Sequence, residues 1–249
     1  VLSVFNGFED LILKMYNSHD PHIKITLKKG KTFDPKSLKI EHQNINKAYD
    51  GLREESFNSE YYEAWLNGQT GYPLIDACMR ALKDGGWINF RMRAMLVSFT
   101  SYHLWLHWKK PAIELAKLFT DYEPGIHYSQ IQMQAGVTGI NTVRIYSPIK
   151  QVTDQDPQGI FIKSYLPELN SIPDHHLAEP HKMTQLEQSM YGCVIGKNYP
   201  HPIVNHAEAY KTARDRIHSI KKLKSTKEES KKVFLKHGSR KSNRRPVRS

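Results

Sequence analysis

The sequence predicts an all-α, multi-helix fold in which packed helices surround one pocket. Long stretches place apolar residues at helical spacing, and no clear segment alternates apolar and polar residues as a half-buried strand would. Proline and glycine fall in the loops between these stretches, where they delimit helices. With 249 residues, 39% of them hydrophobic, the chain is long enough to bury a full core.

Three helices are predicted in the centre of the chain. The first has Pro73 in its first turn and Asp76 near its positive end, and it stops at Gly85–Gly86. The continuous apolar content from Ile88 to Trp108 predicts a long buried helix. A further helix is predicted from Pro111 to Phe119.

The chain divides into three parts by composition. Residues 1–45 combine a partial N-terminal helix over residues 1–18 with a basic, proline-containing loop, and residues 46–210 form the compact body. Residues 211–249 are predicted to be a basic tail that is largely disordered, after a helix that continues for two or three turns.

The positive charge of the chain is concentrated in this tail. The net charge is +11, and residues 211–249 hold 15 Lys/Arg against 3 Asp/Glu, so the remainder is close to neutral. Such a tail predicts salt-sensitive, non-specific binding to nucleic acid, or a nuclear localisation signal. A solvated chain end without any partner is an equally good interpretation.

Composition also excludes several classes of protein. No apolar run approaches the ~20 residues that span a bilayer, so no membrane association is expected. The N-terminus is too short and too soon acidic for a signal peptide, and the absence of a starting Met indicates a fragment or a processed chain. Two cysteines, Cys78 and Cys193, give no disulfide framework and no metal-ligand spacing. We expect no metal site and an intracellular, reducing compartment, cytoplasm or nucleus.

Four segments carry the densest functional pattern of the chain. They are Trp65–Pro73 (WLNGQTGYP), Gly86–Arg93 (GWINFRMR), Asp121–Tyr128 (DYEPGIHY) and Arg144–Pro148 (RIYSP). In this order and at these separations they resemble the flavin-binding catalytic domain of the photolyase/cryptochrome family, over roughly residues 45–210. The resemblance implies an all-α domain, FAD as cofactor and UV-damaged DNA as partner. The family's N-terminal antenna domain and its segment for the flavin diphosphate are not recognisable in this sequence.

The cofactor site is predicted around Arg93. A buried arginine requires a carboxylate, and Asp121 is the obvious candidate, although such a pair is by itself more often structural. The resemblance implies that this pair lies against the flavin, that Glu123 accepts from the flavin N3–H, and that His127 faces N5, where photolyases generally have Asn and plant cryptochromes Asp. A lone histidine is otherwise a satisfied loop or core residue. The predicted cofactor-binding residues are Trp87, Asn89, Phe90, Arg93, Asp121, Tyr122, Glu123 and His127.

Photolyase-type proteins carry electrons to the flavin along a chain of tryptophans, and this chain is interrupted here. By resemblance Trp108 occupies its middle position and is a candidate relay, but the position nearest the flavin is Ile131 and the outermost falls near Glu55. Neither side chain can be oxidised to a radical that would relay an electron. The aromatic residues that offer a detour, although each is more often core filling, are Tyr128, Trp105 and Tyr102.

Contacts to DNA are predicted for four further residues. Arg144 resembles the family's arginine in the loop beside the DNA groove, and Lys150 is a candidate phosphate contact. Met133 and Arg91 complete the predicted nucleic-acid residues. Isolated surface cations ordinarily bind nothing in particular, which is the alternative for these basic residues.

The leading functional prediction is light-driven electron transfer from reduced FAD to a pyrimidine lesion in DNA, which would make the protein a carbon–carbon lyase when the unrecognised N-terminal segments are supplied. One alternative is a non-enzymatic cryptochrome-type blue-light photoreceptor. Another is a nucleic-acid-binding remnant without cofactor. A flavin spectrum and a repair assay separate these three functions.

Overall fold

The computed structural model describes residues 44–55 and 57–237, and this part of the chain is helical. Its α-helices, in chain order, are α1 (Ser59–Asn67), α2 (Pro73–Gly85), α3 (Phe90–Ser98), α4 (Lys109–Leu118), α5 (Pro124–Gln134), α6 (Pro148–Gln155), α7 (Ile160–Tyr165), α8 (Gln185–Met190), α9 (His206–Lys222) and α10 (Lys224–His237). A π-helical turn, Phe99–His103, continues α3. No β-strand occurs in the described part, which confirms the all-α prediction there. The predicted helix over residues 1–18 and nearly all of the following loop lie outside the described residues.

The core is organised around α2, which packs against α1, α3, α6 and α7. Leu74, Ile75 and Met79 of this helix are fully buried. The helix begins at Pro73 as predicted, and Gly86 ends it with φ of 68°. A Cβ at Gly86 would lie 2.5 Å from Cγ2 of Thr120, so both the backbone conformation and the packing there require glycine.

The long helix predicted from Ile88 to Trp108 is wrong at both ends. Asn89 caps α3, because its side chain accepts a hydrogen bond from the backbone N–H of Met92, and helical structure ends at His103. Beyond it, Trp105 has φ of 52°, a left-handed conformation that interrupts any helix. The indole ring of Trp105 stacks against the guanidinium groups of Arg53 and Arg216, at 4.5 and 4.8 Å from the ring centre. These tertiary contacts hold the unusual conformation.

The C-terminal region is also more ordered than predicted. A helix of two or three turns was expected after residue 210, and α9 ends at Lys222 in agreement with this. Beyond it a largely disordered tail was expected, whereas α10 extends the described helical structure to His237. Ala213 and Ile217, four residues apart on α9, are buried against the π-helical turn region, and Val233 of α10 is buried as well. Few but regularly spaced apolar residues are therefore enough to dock these basic helices. The last twelve residues, 238–249, lie outside the described part.

The carboxylate of Asp76 joins distant parts of the fold. It is fully buried and accepts hydrogen bonds from the Thr70 hydroxyl (2.6 Å), the Thr70 and Gly71 N–H groups (2.8 and 3.0 Å) and the Tyr199 hydroxyl (2.6 Å). Burial raises the pKa of Asp76 to about 6 despite these donors. Sequence reasoning assigned this residue to the helix N-terminus alone and missed its role as a hydrogen-bonding hub.

Among the residues that the structure describes, no helix combines the length and the apolar character needed to cross a bilayer.

We predict that Tyr199→Phe lowers the free energy of unfolding by about 1–3 kcal/mol, because it removes one donor from a buried carboxylate. The loss is expected to be larger at pH 8, where Asp76 is ionised, than near pH 4.5, where its pKa of about 6 leaves it protonated. Urea unfolding of both proteins at the two pH values measures this difference.

Tyr210→Phe is the control, since the Tyr210 side chain is 37% exposed and near solvent. It should change the unfolding free energy little at either pH. A destabilisation by Tyr199→Phe that is the same at both pH values would contradict a role through the Asp76 charge.

Candidate functional site

A cavity of about 210 Å³ lies between α3 and α5, with the loop that leads into α5 as its rim. The helix α5 is held in place by its packing against α3 and α4. The apolar wall residues are Phe90, Ala94, Val97, Phe119, Ile126 and Ile131, and the polar or aromatic ones with a polar group are Arg93, Asp121, Tyr122, Glu123, His127, Gln130 and Gln134. The site is thus mostly apolar with a few convergent polar groups, as is typical of small-molecule sites.

Arg93 and Asp121 form a bidentate ion pair on this wall. The two Nη atoms of Arg93 lie 3.0 and 2.9 Å from the two carboxylate oxygens of Asp121, and Nε donates to the Ile88 carbonyl at 2.9 Å. The guanidinium also stacks on the Phe119 ring, 4.3 Å from its centre. The predicted pair therefore forms, but it is not buried as predicted, because the side chains are 24% and 49% exposed.

Glu123 is the N-cap of α5. Its carboxylate accepts hydrogen bonds from the backbone N–H groups of Gly125 and Ile126. The negative charge also lies at the positive end of the helix dipole, so it stabilises the start of α5. A carboxylate has further lone pairs, and Glu123 lines the cavity, so the side chain can cap the helix and still accept a hydrogen bond from a ligand.

His127 lies on the cavity wall in a fixed orientation. The ring is buried, and its Nε2 lies 2.8 Å from the carbonyl oxygen of Ala112. Because a carbonyl oxygen can only accept, Nε2 carries the proton in this hydrogen bond. The ring also packs edge-on against Tyr122 and Tyr128, each with a centre-to-centre distance of 5.1 Å.

Gln130 is a wall residue that the set of predicted cofactor-binding residues missed. Its side-chain oxygen Oε1 is buried and accepts no hydrogen bond within the described part of the chain. A buried acceptor without a donor indicates a ligand or water with an N–H or O–H group. The available signal was helical spacing, since Gln130 follows Ile126 by four residues and His127 by three.

The other predicted cofactor residues differ in position. Phe90 and Tyr122 line the cavity as expected. Trp87 lies outside the described cavity wall with 60% of its side chain exposed, and Asn89 is also outside it, as the cap of α3. The Asn89 side chain is thus engaged in a hydrogen bond with the Met92 backbone N–H and lies outside the cavity wall.

The four predicted DNA-contacting residues do not line the cavity. Arg91, Arg144 and Lys150 are exposed, and Met133 is half-buried on α5. Their exposure leaves the three cations accessible to a phosphate backbone, but the structure gives no specific partner for any of them.

Trp108 is buried away from solvent and connects to the cavity through Tyr128. The indole Nε1 donates to Asn44 Oδ1 at 2.7 Å, and the indole ring lies 6.4 Å from the Tyr128 ring. Tyr128 in turn contacts Tyr122, with ring centres 6.5 Å apart, and Tyr122 lines the cavity. Of the three detour candidates, Tyr128 is the one with ring contacts to both Trp108 and the wall.

The described part of the chain brings together no group of three or more His, Cys, Asp or Glu residues that could hold a metal ion. The two cysteines are buried and free.

Comparison with known proteins gives the family of the chain. The protein-family model for the FAD-binding domain of DNA photolyase matches residues 30–219 of this chain. A deoxyribodipyrimidine photo-lyase of Alkalihalophilus pseudofirmus is 34% identical over 168 residues, and a cryptochrome DASH of Gloeobacter violaceus is 35% identical over 147 residues. The first alignment covers 66% of this chain and 35% of the relative, and the second covers 59% and 29%.

Solved structures agree with this result. A bacterial class III photolyase from Agrobacterium tumefaciens superimposes with a TM-score of 0.67 at 29% identity, over 73% of this chain and 38% of that protein. A cryptochrome from Synechocystis gives a TM-score of 0.62 at 31% identity, over 68% and 37%. The chain therefore spans about a third of the length of these relatives, and it belongs to the photolyase/cryptochrome family and contains the family's FAD-binding domain.

Proposed function

We propose that the protein uses FAD for light-driven electron transfer to a pyrimidine lesion in DNA, with the cavity between α3 and α5 as the site of the flavin ring. The observation that carries the proposal is the Arg93–Asp121 ion pair on the wall of an apolar cavity. An ion pair on a flat, open surface would be fully solvated, and water would screen its charges from a ligand.

The cavity residues suit a flavin ring in their chemistry. Such a ring is flat and apolar and has a polar edge with both donors and acceptors. Phe90, Val97 and Ile131 supply apolar wall, and the buried Oε1 of Gln130 can accept from an N–H group. The volume of about 210 Å³ is below the roughly 300–1,000 Å³ of sites that enclose a whole ligand. We therefore assign only the ring system of FAD to this cavity.

When bound, FAD would supply the one-electron chemistry that absorbed light drives. The guanidinium of Arg93 would stabilise negative charge on a bound ring, because its position is fixed in advance by Asp121 and the Ile88 carbonyl. His127 is oriented by the Ala112 carbonyl, and Glu123 stabilises the start of α5, the helix that carries His127. These residues bind and orient the cofactor and exclude water from one side.

We further propose that Tyr128 replaces the missing aromatic residue at Ile131 as the electron relay from Trp108. The ring contacts of Tyr128 with both Trp108 and Tyr122 support this path. Trp105 is a poorer candidate, because two guanidinium groups stack on its ring and make removal of an electron less favourable.

A blue-light photoreceptor is the second candidate function. The chain is as similar to a cryptochrome DASH (35% identity) as it is to a deoxyribodipyrimidine photo-lyase (34%), so identity favours neither role. Repair of a UV-irradiated oligonucleotide by the FAD-loaded protein under blue light supports the lyase. Flavin bleaching under the same light without any repair supports the photoreceptor.

We also propose an intracellular, reducing location, either the cytoplasm or the nucleus. Two buried free thiols and the basic C-terminal residues support it.

Arg93→Ala is expected to abolish retention of FAD, because it removes the positive charge and leaves Asp121 without its partner. Arg91→Ala is the matched control, since Arg91 is an exposed arginine two residues away and outside the cavity wall. The flavin absorption spectrum of each purified variant, after incubation with FAD, is the measurement. Equal flavin content in the two variants would contradict the proposed site.

Tyr128→Phe should slow photoreduction of the bound flavin by about tenfold, since phenylalanine keeps the ring packing but is far harder to oxidise. Tyr102→Phe keeps the ring of another detour candidate and removes a hydroxyl without a partner in the described residues, so it should leave the rate unchanged. Flavin absorption is followed under blue light with a thiol as external reductant. A normal rate in Tyr128→Phe, or a slow one in Tyr102→Phe, would place the relay elsewhere.

Binding of nucleic acid by the C-terminal tail is a separate prediction. Residues 238–249 contain five Lys/Arg and no acidic residue. Replacing these five with Gln should flatten the dependence of log K on log salt for undamaged DNA by up to about 4. Fluorescence anisotropy at several salt concentrations measures the slope. An unchanged slope would show that residues 238–249 make no phosphate contacts.

A further inference from the structure

A second cavity, of about 660 Å³, opens between α10 and the body of the domain. One side is formed by α10, and the other by Tyr49 and the turn at Gly139–Ile140. The volume lies within the range of about 300–1,000 Å³ that is usual for small-molecule sites. The two cavities share no lining residue, so this one is separate from the cavity assigned to the flavin ring.

The cavity has an excess of positive charge. Lys221, Lys227 and Lys231 line it, and its described lining residues include no Asp or Glu. None of the three ammonium groups forms an ion pair with another residue in the described part. Lys221 has a single long contact, in which Nζ donates to the Asn141 carbonyl at 3.4 Å. Partial burial lowers the pKa of Lys221, as expected for a cation that lacks a partner.

Hydroxyl groups without partners are present at the same place. Tyr49 and Thr226 are 1% and 2% exposed, and neither hydroxyl oxygen has a hydrogen-bond partner within the described residues. Ser230 accepts a hydrogen bond from Asn46 Nδ2 at 3.0 Å, so its own O–H remains available to donate. Buried hydroxyl groups are normally satisfied, and the two unpaired ones, those of Tyr49 and Thr226, indicate a missing acceptor beside this cavity.

The remaining wall is apolar. Ile140, Phe234 and Leu235 line the cavity, although Phe234 and Leu235 are 55% and 83% exposed to solvent. Such side chains gain stability when an apolar group covers them. A ligand that satisfies the whole cavity therefore has an anionic end with several acceptors and an apolar body.

We propose that this cavity binds a phosphate monoester attached to an apolar body. A phosphate monoester carries a charge of about −1.5 to −2 at neutral pH and three acceptor oxygens, which suits three ammonium groups and nearby hydroxyl donors better than a carboxylate does. The body would cover Phe234 and its apolar neighbours. An alkyl phosphate meets this description through its chain, and a nucleoside monophosphate through the flat faces of its base.

Isothermal titration of the full chain tests the proposal with four probes: adenosine monophosphate, hexyl phosphate, inorganic phosphate and adenosine. At least one monoester is expected to bind with one-to-one stoichiometry and about tenfold more tightly than inorganic phosphate or adenosine. The preferred monoester identifies the body as a nucleoside or an alkyl chain. If neither monoester binds more tightly than both inorganic phosphate and adenosine, the proposal is wrong.

Matched charge variants locate the binding. The double variant Lys227→Ala/Lys231→Ala should weaken the monoester by about tenfold or more. Lys232→Ala/Lys236→Ala removes the same charge from the same helix but outside the cavity, so affinity should stay within about twofold. Equal weakening in both double variants would indicate non-specific attraction and overturn the site.

Thr226→Val provides a test that does not depend on charge or on loss of folding. The valine has the same shape and removes a buried hydroxyl without a partner, so thermal stability should be unchanged or higher. Affinity for the monoester should nevertheless fall. Unchanged affinity would remove Thr226 from the site and contradict the assignment of the buried hydroxyl groups as ligand donors.

Discussion

The buried carboxylate of Asp76 is the interaction on which the rest of the domain depends. It lies in the first turn of α2, the helix that packs against four others, and it accepts hydrogen bonds from the preceding loop and from Tyr199 far along the chain. Gly71 approaches the C-terminal segment so closely that a Cβ there would lie 2.4 Å from the His201 carbonyl oxygen. The burial of a charge is unfavourable, and the four donors offset much of that cost. The loop, α2 and the segment that leads to α9 are thereby held in a single arrangement.

The proposed flavin site is built on α5, a helix whose two ends are fixed by side chains of opposite charge. Glu123 caps the start of α5, and the buried Arg53 donates from Nη1 to the Ala135 carbonyl at its end. Both charges are of the sign that the helix dipole favours. Arg53 is held in turn by the ring of Trp105, which has its left-handed conformation two residues after the helical structure ends at His103. Trp105 lies where the long predicted helix is interrupted, and through Arg53 it helps to hold α5 in position.

This arrangement separates rigid and accessible parts of the site. His127 and Gln130 are held within α5, whereas the Arg93–Asp121 pair lies at the rim and remains partly exposed. The apolar side chains of Phe90 and Ile126 are 61% and 63% exposed beside the same cavity. The cavity thus combines a fixed wall with an open apolar face, which a flat ring can cover.

Much of the fold and part of the site were predictable from local sequence. Helical spacing and the Pro73 and Gly86 punctuation determined α2, because those signals act over a few residues. The photolyase/cryptochrome family was identified from four short segments, and the match of the family model to residues 30–219 confirms that identification. The ion pair between Arg93 and Asp121 was predicted and forms, although its side chains are partly exposed and not buried as expected.

Tertiary contacts decided the rest. The end of α3, the ordering of α9 and α10, and the Asp76 hub depend on partners more than twenty residues away in sequence, such as Arg53, Arg216 and Tyr199. No local pattern can report such partners, because helix propensity and periodicity describe neighbours along the chain. The sequence by itself determined the fold class, the family and the charge of the C-terminal region. Only the packed structure decided which side chains share a cavity, since that depends on how helices distant in sequence meet.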